Sequence, residues 1–265
     1  GVSGSGKTYI RNEIKDTLKK DSLKILDNRE LIILKYDSVI KLNFIEKQII
    51  NYFKVLNFIK KNFKISNNKK ILTKKKNYNK NYSKNLNELT ANFKDKYEDI
   101  CKKILLKNKK CKKIYKFVLK ILKKSKDPNK TQYHFWFVEM LAANCIFEKV
   151  KAKSNFIYFP DEGLVQRVFL INHLSGSNNT GEINEYLKII FKADLILNIN
   201  SSIKEIYDTH FKRKASSNEF TIDRMEIDKM VKFKKKFIKV YANFKFINIQ
   251  NNENLKKNLN NRFNS

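Results

Sequence analysis

Gly1-Val2-Ser3-Gly4-Ser5-Gly6-Lys7-Thr8 opens the chain and satisfies G-x-x-x-x-G-K-[ST] at every fixed position. The chemistry explains the spacing. Glycines let the backbone take φ > 0 and bring N–H groups against phosphate oxygens with no Cβ in the way. The helix that follows turns its positive end towards the same anion. Lys7 is placed to reach the β- and γ-phosphates of a nucleotide, and Thr8 to offer its hydroxyl to Mg²⁺. Gly1, Gly4, Ser5, Gly6, Lys7 and Thr8 are therefore the expected ATP-binding residues.

Two neighbours give such a loop its context, a strand before it and a helix after it. Tyr9, Ile10, Ile14 and Leu18 recur at helical spacing and predict a helix over 7–20. The chain begins on the first motif glycine, so the strand that should feed the loop is absent from it. The expectation is a fragment truncated at its N-terminus.

Composition bounds the rest. The 265 residues carry 57 Lys+Arg against 26 Asp+Glu, a formal net charge of +31. Only Arg11, Arg29, Arg167, Arg213, Arg224 and Arg262 are arginine; the other basic residues are lysine. Lysine and asparagine are over-used while glycine and proline are scarce, the pattern of an A/T-rich coding sequence drifting its solvated surface. The other reading is a surface for nucleic acid or an anionic membrane, although base and phosphate recognition usually recruits arginine. A hydrophobic share of 42% is too high for a wholly disordered chain. The longest apolar stretch, 135–147, is interrupted by Glu139 and Asn144 and falls short of a bilayer span of about 20 residues. Cys101, Cys111 and Cys145 form neither a disulfide framework nor a Cys-x-x-Cys pair. With no signal segment in view, the default compartment is the cytoplasm.

Beyond the loop, Leu31-Ile32-Ile33-Leu34 reads as a short buried strand ending near Asp37. A helix is predicted over 44–61, a mobile Lys/Asn-rich tract over 64–87, and helices over about 88–107, 110–125 and 131–150. The 110–125 helix is basic and amphipathic. The 131–150 helix holds the only tryptophan, Trp136, expected in the core. In the second half, Phe156–Phe159 reads as a strand, 164–173 and 182–192 as helices, 195–199 as a strand and 201–214 as a helix capped by Ser201. A long helix over 222–242, a strand over 244–249 and a last helix over 252–262 complete the order. Strands alternating with helices imply an α/β fold with a parallel sheet between two helical layers. The expectation is one domain over 1–265, interrupted by a basic helical insertion at 64–130.

A phosphate loop alone does not choose among kinases, GTPases, motors and transport ATPases. No Asn-Lys-x-Asp guanine reader occurs, since Asn129-Lys130-Thr131-Gln132 lacks the Asp. Leu174-Ser175-Gly176-Ser177 lies after Asp161, the wrong order for a transport ATPase. Tyr158-Phe159-Pro160-Asp161-Glu162 has the hydrophobic-run-Asp-Glu form of AAA-type motors, but no lid domain or second hexamer-building segment accompanies it.

Residues 1–20 and about 155–265 resemble the small P-loop kinases, the nucleoside monophosphate and thymidylate kinase group. In that group a variable acceptor-binding helical region precedes a strand ending in an acidic motif, here Asp161-Glu162-Gly163 followed by Leu164-Val165-Gln166-Arg167. A strand like 193–199 comes next, then basic lid residues, here Phe211-Lys212-Arg213-Lys214. Thymidylate kinases have Asp-Arg-Tyr where this chain has Asp161-Glu162-Gly163, a departure that bears on specificity. The resemblance implies a P-loop NTPase three-layer fold and ATP- and Mg²⁺-dependent phosphoryl transfer to a small acceptor, a nucleotide or sugar derivative.

Such transfer is mostly positioning and charge neutralisation. Asp161, at the carboxyl end of a strand, lies where parallel sheets bind ligands. It would hold Mg²⁺ with Thr8 or, with Glu162, act as base for the acceptor hydroxyl; alternatively both cap a helix. Asp37 is a second base candidate. Arg167 and Arg213 are candidates to clamp phosphates or neutralise transition-state charge, and otherwise form surface ion pairs. His134, His173 and His210 show no metal-ligand spacing. The alternatives kept open are an ATP-driven nucleic-acid-binding protein and a nucleotide-binding module without catalysis.

Overall fold

Asp27 caps a helix over 28–35 in the structure, a computed structural model that describes residues 14, 24–62, 80–153, 155–160, 162–176, 180–200, 202–208, 224–240 and 246–250. They fall into two compact units, one drawn from 1–25 and 155–265 and the other from 26–154. The described residues of the expected insertion at 64–130 all belong to the second.

Strand β1 (Lys24–Leu26) leads into helix α1 (Asn28–Lys35). The Asp27 carboxylate accepts from the Glu30 N–H and the Glu30 carboxylate from the Asp27 N–H, both at 2.9 Å. This reciprocal cap satisfies two otherwise orphaned donors and contributes about 1 kcal/mol. Leu31–Leu34 is therefore helical, a correction to the expected strand. Four consecutive apolar residues fit a buried strand or a buried helix equally well, and the Asp27/Glu30 spacing decides between them. Asp37 falls in the 3₁₀ turn Tyr36–Ser38, exposed, rather than at a strand end.

Three long helices follow the cap at Asn43, which exchanges hydrogen bonds with Glu46 as Asp27 does with Glu30. They are α2 (Phe44–Asn62), α3 (Lys80–Leu105) and α4 (Lys109–Lys124). Helix α3 begins eight residues before the expected 88, so 80–87 is helix and not loop. Asn108 caps α4 by accepting from the N–H groups of Lys110 and Cys111 at 2.8 and 3.0 Å. Helix α5 (Lys130–Val150) is the centre of this unit and packs against α1, α3 and α4. It is apolar around most of its circumference, which is why it sits inside. Phe137, Val138 and Met140–Ala143 are fully buried. Trp136 faces outward at 36% exposure, its ring tilted against Tyr133, so it is not a core residue.

In the other unit, β1 pairs with β2 (Phe156–Tyr158). Helices α6 (Val168–Leu174) and α7 (Thr180–Ile189) follow, then β3 (Ile196–Asn200), a helical turn at 203–208, α8 (Arg224–Val240) and β4 (Phe246–Gln250). Residues 164–167 are turn, so the helix expected from 164 starts at 168. Gly176, at φ 73°, ends α6 in the left-handed conformation that favours glycine. Ser202, rather than Ser201, caps the turn at 203–208 by exchanging hydrogen bonds with Glu205. Strands β3 and β4 are parallel, in register from Ile196 opposite Phe246 to Asn200 opposite Gln250. Parallel neighbours need a long crossover, and α8 lies in it. Ile206 and Ile227 pack with Ile203, Met230 and Val231, while Phe169 meets Phe233 edge-on at 5.2 Å. Among the described residues the four strands form two pairs, and no helix is long and apolar enough to cross a membrane.

Candidate functional site

The segment after β2 contains two of the expected site residues. Glu162 and Arg167 come together: Arg167 Nη1 lies 2.8 Å from Glu162 Oε2. The arginine side chain is 11% exposed and the glutamate 38%, so the pair has a buried and a wet end. The turn that joins them is fixed by its own backbone. The Gly163 carbonyl accepts from the N–H groups of Gln166 and Arg167 at 3.1 and 3.2 Å. Tyr186, on α7, donates its hydroxyl to the Leu164 carbonyl at 2.9 Å and is fully buried. Burial pushes the Tyr186 phenol well up, an effect the Arg167 charge opposes. The hydroxyl therefore stays protonated and able to donate. Arg167 is thus seated by a turn, a carboxylate and a neighbouring helix.

Gly163 needs no glycine at this place. Its backbone is outside the left-handed region, and an added Cβ would meet only Pro160 Cγ at an ordinary 3.7 Å. Gly1, Gly4, Ser5, Gly6, Lys7, Thr8, Asp161 and Arg213 lie outside the described residues, as does His210. Of the helix expected over 7–20, Ile14 is described; it is helical and buried. Both residues expected to hold Mg²⁺, Thr8 and Asp161, are thus outside, and no group of His, Cys, Asp and Glu suited to a metal occurs among the described residues.

The 26–154 unit holds two polar networks that no local motif announces. In the first, Arg29 Nε donates to Glu139 Oε1 at 2.8 Å and the Tyr97 hydroxyl donates to the same oxygen at 3.1 Å. The guanidinium also lies over the rings of Phe53 and Tyr97 at 5.7 and 5.8 Å. Burial works against the Arg29 charge, but Glu139 and Tyr97 outweigh it and raise its pKa. Burial likewise drives the Tyr97 phenol and the adjacent Cys101 thiol well up. One charge pair, ringed by neutral groups, ties α1 to α3 and α5.

In the second network His134 stands between Glu98 and Tyr115. Its Nδ1 is 2.9 Å from Glu98 Oε1 and its Nε2 is 3.0 Å from the Tyr115 hydroxyl. Lys102 approaches the same Glu98 oxygen at 3.0 Å. Burial pushes the imidazole below its ordinary 6.5; Glu98 opposes that shift and Lys102 aids it. A neutral ring donating from Nδ1 to Glu98 and accepting at Nε2 from Tyr115 satisfies every contact. Burial raises the Tyr115 phenol, which keeps it a donor. His134, expected only to lack metal spacing, proves to join α3, α4 and α5. Its partners lie 36 and 19 residues away along the chain, so neither carries a sequence signal.

The three cysteines are buried free thiols. Cys111 donates to the Leu141 carbonyl at 3.5 Å and Cys145 to the Ile104 carbonyl at 3.3 Å, and both behave as core residues.

No family model, curated protein or solved structure matches this chain.

Proposed function

We propose that the chain is a P-loop kinase that transfers the γ-phosphoryl group of ATP to a small acceptor, a nucleotide or sugar derivative. The observation that carries this reading is Gly1–Thr8, which places glycine, lysine and threonine where a phosphate-binding loop needs them. Support comes from the parallel β3 and β4 with α8 in the crossover, the element order of such folds. The seated Arg167 beside Glu162, directly after β2, adds to it. On this reading the architecture is the three-layer P-loop fold, with the helices of 26–154 as the acceptor-side insertion.

The roles divide by chemistry. Lys7 and the loop N–H groups hold the β- and γ-phosphates. Thr8 and Asp161 would hold Mg²⁺, which would supply neutralising charge to the phosphates. Arg167 and Arg213 neutralise the charge that spreads over the transferred group. Glu162 orients the Arg167 fork.

Incubation with γ-labelled ATP and a pool of small metabolites tests this. Label is expected to move to an acceptor, and Lys7→Ala should slow the transfer about a hundredfold or more. Equal transfer by the two proteins, or ATP binding with no transfer to any acceptor, would overturn the assignment.

A further inference from the structure

Eight of the sixteen residues of α4 are lysine and none is acidic. All eight are exposed. At 3.6 residues per turn, every one except Lys110 falls within an arc of about 120°. The opposite arc carries Cys111, Ile114, Phe117, Val118, Ile121 and Leu122, all buried. Helix α4 thus shows a single chemistry to solvent.

That surface is not simply the lysine excess of the whole chain. Helix α5 carries Lys130 and Lys149 against Glu139 and Glu148. Three lysines elsewhere in the unit are matched to acids: Lys102 to Glu98, Lys103 to Glu46 and Lys151 to Glu148. Lys109, Lys112, Lys113, Lys116, Lys120 and Lys123 have no ion-pair partner among the described residues. Like charges one turn apart on a helix repel by about 0.2–0.5 kcal/mol per pair. The row is held straight by the apolar face beneath it, and a linear polyanion would relieve its repulsion.

We propose that the lysine face of α4 docks on the phosphodiester backbone of nucleic acid, by charge and without sequence preference. Its length suits such a partner: sixteen helical residues span about 24 Å, against about 3.4 Å of axial rise per phosphate on one strand. Its residue type sets the mode. Lysine binds phosphate as a point charge, whereas reading base edges calls for arginine forks, and α4 has no arginine. A membrane is the poorer partner, because a surface helix binds lipid by inserting its apolar face. Here that face is buried in the unit. The proposal does not depend on phosphoryl transfer.

Fluorescence anisotropy of a short labelled DNA duplex, without nucleotide, provides the test. The triple substitution Lys113→Glu, Lys116→Glu and Lys120→Glu should weaken binding at least about tenfold and make the log–log salt slope shallower by about three. Reversing the exposed Lys41, Lys47 and Lys54 instead makes the same change in total charge and should leave affinity within about threefold of the starting protein. Circular dichroism establishes that both variants are folded. Equal losses in the two variants would show that total charge, not α4, does the binding. Absence of duplex binding, a strong preference between unrelated duplexes, or tight binding only to phosphatidylserine-containing vesicles would each overturn the proposal.

Discussion

Lys102 and Lys103 close α3, and a few residues later Lys109 opens α4, yet the two groups of lysines sit in different electrostatic settings. Lys102 lies 3.0 Å from Glu98 and 3.4 Å from Asp99, and Lys103 pairs with Glu46 from α2. On α4 no carboxylate occurs within the helix. Same residue, same secondary structure and same unit give opposite outcomes: Lys102 and Lys103 have carboxylates in reach, and Lys109, Lys112, Lys113, Lys116, Lys120 and Lys123 have no ion-pair partner among the described residues. Arg29 marks the extreme of pairing, engaged by Glu139 and lying over the Phe53 and Tyr97 rings. The difference teaches that a formal charge of +31 is not one property. Part of it holds helices together, and part is directed outward.

The largest effect should come from the most enclosed pair. Glu139→Ala leaves Arg29 and the Tyr97 hydroxyl without their shared acceptor, and urea unfolding should show a loss of about 3 kcal/mol. A loss below about 0.5 kcal/mol would mean that water replaces the carboxylate and that the pair is not enclosed. Next comes α4. Lys116→Glu stands one turn from Lys112, Lys113 and Lys120, and turns three repulsive pairs into attractive ones. Thermal unfolding should show a gain of up to about 1 kcal/mol while duplex binding weakens. A destabilised Lys116→Glu protein would indicate that the lysine row is not under mutual repulsion.

His134 sharpens the comparison through pH. Its pKa is lowered in the folded state, so the unfolded chain binds more protons near the ordinary value of 6.5. The stabilisation is therefore complete above that value and falls away as pH drops through it towards the folded pKa. His134→Gln should flatten that part of the stability profile, and an unchanged profile would assign the pH dependence to other groups. The smallest effect belongs to Lys103, more than half exposed at the α3 end of its pair. Lys103→Ala should change stability by less than about 0.5 kcal/mol, and increasingly little as salt is added.

Much of the helical content was legible along the chain. The helices expected at 44–61, 110–125 and 131–150 agree with α2, α4 and α5 to within a residue at either end, because long amphipathic or apolar periodicities identify themselves. The strand expected at 31–34 was misread for the same reason in reverse: an unbroken apolar run has no period. Its true identity was written one step earlier, in the Asp27/Glu30 cap. Trp136 shows the limit of residue type as a guide. It sits on a buried helix but on the one side that faces out.

For the candidate site, Glu162 and Arg167 were named from their positions after a strand, and their meeting at 2.8 Å needed the turn at 164–167 to bring them round. Glu98, His134 and Tyr115 gave no such hint. Each is unremarkable in its own segment, and three helices must pack before they touch.

The sequence by itself determined the phosphate-loop motif at Gly1–Thr8, the helical periods and the one-sided chemistry of α4, because each is a spacing within a single segment. Only the tertiary structure decided which charges are matched. Lys103 finds Glu46 and Arg29 finds Glu139 across 57 and 110 residues of chain, while Lys112, Lys113, Lys116 and Lys120 of α4 find no ion-pair partner among the described residues. Pairing depends on distance in space, and the folded packing of α1, α2, α3 and α5 sets that distance.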